Sequence, residues 1–120
     1  MDFNSKQARA ERIRWFQHDR FGMFIHWGLY AIPARGEWLR YYERVDEPYF
    51  REFNPVKYDP RQWARIAKAA GMKYAVLTAK HHDGFCLFDS AQTDFKSTNT
   101  PCGRDLVREF VEAFRAEGLK

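Results

Sequence analysis

The sequence has only two cysteines in 120 residues, Cys86 and Cys102, and no Cys-x-x-Cys pair. That excludes a disulfide framework. Cys86 reads as a buried thiol and Cys102 as a loop thiol. No apolar run approaches membrane-spanning length, so no membrane partner is expected. The polar start, Met1-Asp-Phe-Asn-Ser-Lys6, lacks the apolar core of a signal peptide and sets the expectation of a cytoplasmic protein. A basic stripe is missing as well. The 20 Lys and Arg are interspersed with 16 Asp and Glu, for a net charge of +4, which argues against nucleic acid. At this length the chain is expected to be one domain, spanning 1–120.

What the chain does have is aromatic weight. Eleven Phe, six Tyr and four Trp in a sequence that is 45% hydrophobic supply a real core. They also suit a carbohydrate site, where flat rings cover the apolar faces of sugars. The organising stretch is Lys73 to Phe85. Tyr74, Ala75, Val76, Leu77, Thr78 and Ala79 form a short apolar run rich in β-formers, of the kind a parallel strand covered on both faces requires. It ends in Lys80, His81, His82, Asp83 and Gly84. These are poor packing material, and ligands of α/β folds bind at the carboxyl ends of strands.

Read in order, residues 6–17 are predicted to be helical, with Ser5 as cap. Phe21–Gly28 is a strand, with Met23, Ile25 and Trp27 on one face and Phe24 and His26 on the other. Residues 29–47 read as a long loop punctuated by Pro33 and Gly36. Asp46 opens a short helix ending at Phe53. Asp59 caps a clearer one, with Pro60 at its first position and Gln62 completing a capping box. In that helix Trp63, Ile66, Ala67 and Ala70 form the expected buried stripe, and Gly71 ends it in a left-handed turn. The last helix starts at Asp105, presents Leu106, Val107, Phe110, Val111 and Phe114, and stops at Gly118; Leu119-Lys120 leads toward another strand. The order is α/β: two βα units behind an N-terminal helix.

Several side chains stand where chemistry is expected. His26 closes the first strand, and its alternative is a satisfied core histidine. Glu37-Trp38 sets a carboxylate beside a flat ring, a pair suited to a sugar. Asp83 follows the histidine pair, with a turn role before Gly84 as its alternative. Asp19 and Asp89 are further carboxylates. His26, His81, His82 and Asp83 suggest zinc in type. However, adjacent His81 and His82 cannot both point inward from a regular strand, so neither a metal nor any other cofactor is expected.

Arg20-Phe-Gly-Met-Phe-Ile-His-Trp-Gly28 and Lys80-His-His-Asp-Gly-Phe85 together resemble family 29 of the glycoside hydrolases, the α-L-fucosidases. Glu37-Trp38, Thr93-Asp-Phe95 and Arg104-Asp-Leu-Val107 match as well. The resemblance runs from about Trp15 to Lys120 and covers the beginning of the family's (β/α)8-like barrel. It implies that His26 hydrogen-bonds fucose hydroxyls, that His81 and His82 grip the sugar, and that Trp38 lies beside it. Glu37 resembles the family's active-site glutamate. The family is retaining: one carboxylate is the nucleophile and a second serves as acid, then base. The resemblance places that nucleophile on a later strand, beyond Lys120.

The expected fold is therefore a partial (β/α)8-like barrel, completed or covered by self-association into a homo-oligomer, because two parallel strands leave open edges and an uncovered inner face. A full barrel uses eight strands and about 250 residues. The expected function is a retaining α-L-fucosidase-like hydrolase acting on α-L-fucosides as an oligomer, with Glu37 and then Asp83 as catalytic candidates. The competing expectation is a non-catalytic, fucose-binding barrel fragment.

Overall fold

The computed structural model describes residues 5–120. Helix α1 (Lys6–Asp19) precedes strand β1 (Gly22–Ile25). A 3-10 turn (Leu29–Ala31) and helices α2 (Leu39–Glu43), α3 (Glu47–Glu52) and α4 (Pro60–Ala69) lead to strand β2 (Tyr74–Leu77). A long connection carrying a second 3-10 turn (Ser97–Asn99) ends in α5 (Leu106–Ala116). The two strands are parallel, with Gly22 opposite Tyr74 and Ile25 opposite Leu77. This is the expected pair of βα units behind an N-terminal helix.

Helices α4 and α5 cover one face of the sheet. Met23, Ile25, Ala75 and Leu77 pack from the strands onto Ala64, Ala67, Phe110, Ala113, Phe114 and Leu119. The buried stripe of α4 differs from the one its large residues suggest. Ile66 is 55% exposed and Ala70 is exposed, while Ala64 and Ala67 have no exposure at all. The contact is made by small side chains at Pro60, Ala64 and Ala67, which let α5 approach closely enough to bring in Phe110 and Phe114. Expected caps hold both helices. The Asp59 carboxylate accepts from the N–H groups of Arg61 and Gln62, and Asp105 accepts from Arg108. Gly71, at φ 84°, ends α4, and the Met72 N–H returns to the Ala67 carbonyl at 3.0 Å.

The crossover between the strands is not the loop expected over 29–47. It contains the 3-10 turn and α2, whose five residues are anchored by the buried Leu39. Arg44, in the left-handed conformation, terminates α2. The Arg35 guanidinium binds Glu43 through two contacts, at 2.9 and 2.6 Å, and pins the segment. Below it, Leu29, Phe53, Tyr58, Phe85, Leu87 and Leu106 form a second buried cluster with Trp27 against it. The Tyr58 hydroxyl donates to the Leu106 carbonyl there at 2.8 Å.

The opposite face of the sheet is open. Phe24 is 68% exposed and Val76 41%. At the amino end of the strands Tyr74 lies over Gly22 and meets the rings of Phe16 and Trp15 at 5.2 and 5.8 Å, which is how α1 docks. Lys120 exchanges backbone bonds with β2, accepting from Ala75 N–H at 2.8 Å and donating to the Lys73 carbonyl at 3.2 Å. It holds the position of the expected next strand. Among the described residues no helix is long and apolar enough to cross a membrane.

The α4 face generates a two-sided prediction. Ala64→Leu overfills the α4–α5 contact and is expected to cost about 1–3 kcal/mol. Ile66→Ala removes an exposed side chain and is expected to stay within about 0.5 kcal/mol of the parent. Urea unfolding of the two variants checks this, and the reverse order would restore the stripe built on Ile66.

Candidate functional site

The carboxyl ends of β1 and β2 converge on a cluster of rings. His26 follows β1 directly, and its ring centroid lies 4.9 Å from that of His81, edge to face. His81 meets His82 at 4.7 Å, again edge to face. The two neighbours diverge because the chain has already left β2, so they need not alternate as strand residues do. His82 stacks on Trp38 at 4.3 Å with 21° between the planes. The crossover segment therefore comes back to the end of β2 and joins the histidines of both strands to the Glu37-Trp38 pair.

The turn that carries His81 and His82 is built by its own backbone. Leu87 N–H donates to Ala79 O at 2.9 Å, and Lys80 bridges to Cys86 in antiparallel fashion, folding the chain back on itself. Within this turn Asp83 is 7% exposed, and its Oδ1 accepts from Phe85 N–H at 2.9 Å. The Asp83 carbonyl accepts from Arg40 Nη1, and the same nitrogen lies 2.9 Å from Asp46. Arg40 thus ties α2 to the histidine turn and to the start of α3. Sequence reading missed it, since a lone Arg in an expected loop carries no distinguishing signal. It also missed Tyr30, whose hydroxyl lies 3.1 Å from His26 Nδ1. The spacing of four residues across Gly28 was the only trace.

An open cleft of about 640 Å³ runs along this cluster, lined by Glu37, Trp38, Arg40, Tyr41, Tyr42, Arg44, His82 and Asp83. A second cleft of about 460 Å³ lies between α4 and α5, far from the strand ends, and mixes arginines with glutamates on the outer layer. Three groups at or beside the first have shifted proton affinities. Burial, then the charges of Asp83 and Glu37, push the Tyr30 hydroxyl up to about 12. Burial, then His26 and His82, hold the His81 imidazole below its ordinary value, against an opposing pull from Asp83 and Glu37. Burial raises the Asp83 carboxyl, opposed by the Phe85 N–H. Both carboxylates therefore act on the same two rings. His81 Nδ1 is buried without a hydrogen-bond partner among the described residues.

The remaining carboxylates stand elsewhere. Asp19, at the amino end of β1, binds Lys120 Nζ at 2.7 Å, which pulls its carboxyl below the usual range. Asp89 is held the same way by Lys96 at 2.8 Å, with Thr98 at 3.0 Å. Nor do the histidines converge on a cation: His26 Nδ1 faces Tyr30 and Asp83 Oδ1 faces Phe85. Among the described residues no three His, Cys, Asp or Glu are grouped to hold a metal ion.

A family model described as alpha-L-fucosidase matches residues 2–120. The chain belongs to the α-L-fucosidase family. It is 36% identical to the tissue alpha-L-fucosidase of Rattus norvegicus, covering 89% of this chain and 28% of that protein. Among solved structures it is similar to alpha-L-fucosidase isoenzyme 1 from Paenibacillus thiaminolyticus, at 74% identity and a TM-score of 0.89, over 93% of this chain and 28% of that one. It is also similar to the Thermotoga maritima alpha-fucosidase, solved in complex with fucose, at 36% identity and a TM-score of 0.82, over 89% and 32%. The chain thus spans 28%, 28% and 32% of these three fucosidases. These relatives support a glycoside hydrolase fold of which the two βα units are a part.

The His81 environment sets a pH dependence. An imidazole whose pKa is lowered by folding takes its proton more readily in the unfolded chain. Its contribution to stability is therefore present at neutral pH and is lost as the pH falls below the ordinary value of 6.5. The urea midpoint of the parent should drop between about pH 7.5 and about pH 5.5 by more than that of His81→Gln. Parallel pH profiles would contradict the lowered proton affinity of His81.

Proposed function

We propose that this chain forms the fucose-gripping wall of a retaining α-L-fucosidase, which releases α-linked L-fucose from glycoconjugates or aryl fucosides. One arrangement supports the reading above all: the histidines at both strand ends meet Trp38 in a single cluster, with Glu37 on the same cleft. Imidazole N–H groups and a carboxylate bind sugar hydroxyls, and the free face of Trp38 covers an apolar sugar face. His26, His81, His82, Trp38 and Glu37 are the proposed substrate-binding residues.

Retaining hydrolysis needs two carboxyl groups about 5–5.5 Å apart, one as nucleophile and one as acid, then base. Glu37 is the proposed catalytic carboxylate of this chain, since it adjoins Trp38 on the cleft. Asp83, the second candidate, has one oxygen held by the Phe85 N–H, and this favours an anchoring role in the histidine turn. In this reading a wall set against the open side of the sheet supplies the second carboxylate. We propose that self-association covers that side, because Phe24 and Val76 stand exposed there and, among the described residues, one edge of β1 has no strand against it.

The test is hydrolysis of an aryl α-L-fucoside by fractions from a size-exclusion column. Activity is expected in a multimer peak, with Glu37→Ala lowering turnover by about 100-fold or more. A multimer that binds fucose without turning it over would reduce the function to sugar binding. Full activity in a monomer peak would overturn the oligomer requirement.

A further inference from the structure

Tyr30 has no role in the grip on the sugar described so far, yet it touches the residue at its centre. It is 8% exposed, and its hydroxyl lies 3.1 Å from His26 Nδ1. The ring is held on three sides. It tilts against His26 at 5.3 Å, meets the edge of His81 at 5.4 Å, and lies close over Gly28. A Cβ at position 28 would stand 2.7 Å from the Tyr30 ring. Gly28 has an extended backbone, φ 179°, that any residue adopts. Its glycine is therefore demanded by the approach of Tyr30 and not by its own conformation.

This contact has a direction. An imidazole nitrogen bearing a lone pair is a strong acceptor, and a phenol is a good donor. The Tyr30 hydroxyl keeps its proton, because burial and the charges of Asp83 and Glu37 both resist its loss. With Tyr30 as the donor in this 3.1 Å contact, Nδ1 accepts. A neutral imidazole carries one proton, which goes to the other nitrogen.

We propose that Tyr30 is a positioning residue that fixes His26 as its Nε2–H tautomer, so that His26 presents a hydrogen-bond donor to a sugar hydroxyl. The last clause rests on the fucose-binding reading; the tautomer is a property of the free protein. Without the Tyr30 hydroxyl the two tautomers of His26 compete and the ring loses its stop. Part of its population then offers an acceptor where the wild type offers a donor.

The experiment is imidazole nitrogen–proton correlation NMR on the isotope-labelled full chain at mildly alkaline pH, followed by L-fucose titration. In the wild type, His26 should show a protonated Nε2 and a bare, hydrogen-bonded Nδ1. Tyr30→Phe keeps the ring and its packing and should give mixed tautomers. It should also raise the dissociation constant for L-fucose roughly fivefold, the worth of one neutral hydrogen bond. Gly28→Ala should push the ring aside and produce the same mixing with the hydroxyl still present, and it serves as the second probe if Tyr30→Phe does not fold. A wild-type His26 protonated at Nδ1, or a tautomer unchanged in both variants, overturns the proposal. Tautomer mixing in a chain that binds no fucose upholds the positioning role and overturns the sugar-binding reading instead.

Discussion

The parallel pairing of β1 with β2 is the constraint on which the rest depends. Its register sets Ile25 opposite Leu77, so the residues that leave the two strands emerge at the same level. Thr78 extends the pairing by donating to the Ile25 carbonyl from both its backbone and its hydroxyl, at 3.0 and 3.2 Å. A one-residue slip would turn His26 toward the helices and take Met23 and Ile25 off the core. Function and stability are thus coupled through the same few backbone bonds. The apolar face locks the register, and the register brings His26 to His81.

Parallel strands cannot be joined by a tight turn, and the long crossover this imposes is put to use. The segment from Leu29 to Glu52 returns to the end of β2 and lays Trp38 on His82. Arg40 is the strap of this arrangement. Its guanidinium binds the Asp83 carbonyl and the Asp46 carboxylate at once, in the turn that holds the buried Asp83 carboxyl and the half-buried His81 imidazole. A cation shared between a backbone dipole and a carboxylate helps keep the Asp83 turn tolerable at low exposure. The rings are then positioned by a polar frame below them, so that the N–H groups and the open face of Trp38 are left for a ligand.

Much of this could be read in the sequence where one local rule dominates. The caps at Ser5, Asp59 and Asp105, the left-handed stops at Gly71 and Gly118, and the apolar run of β2 each follow from the chemistry of a few adjacent residues. The grouping of His26, Glu37-Trp38 and His81-His82 was legible through wording at two strand ends. Features set by tertiary contact were not. The five residues of α2 carry no periodicity, and one buried leucine suffices to hold them. The face of α4 was read only in part: Trp63 and Ala67 pack as expected, but Ile66 and Ala70 are exposed, and the overlooked Ala64 completes the close contact with α5. Tyr30 and Arg40 act through partners 4 and 43 residues away, and pattern reading cannot see the second of these at all.

The central claim is that side chains from both strand ends form one sugar-binding wall. The most direct measurement follows the ring resonances of all four histidines during titration with L-fucose, with D-fucose as a stereochemical control. His26, His81 and His82 should shift together along one binding curve. His18, exposed on α1 beside Asp19, should stay in place. Separate curves for His26 and the His81–His82 pair, or equal response to both enantiomers, would contradict the account.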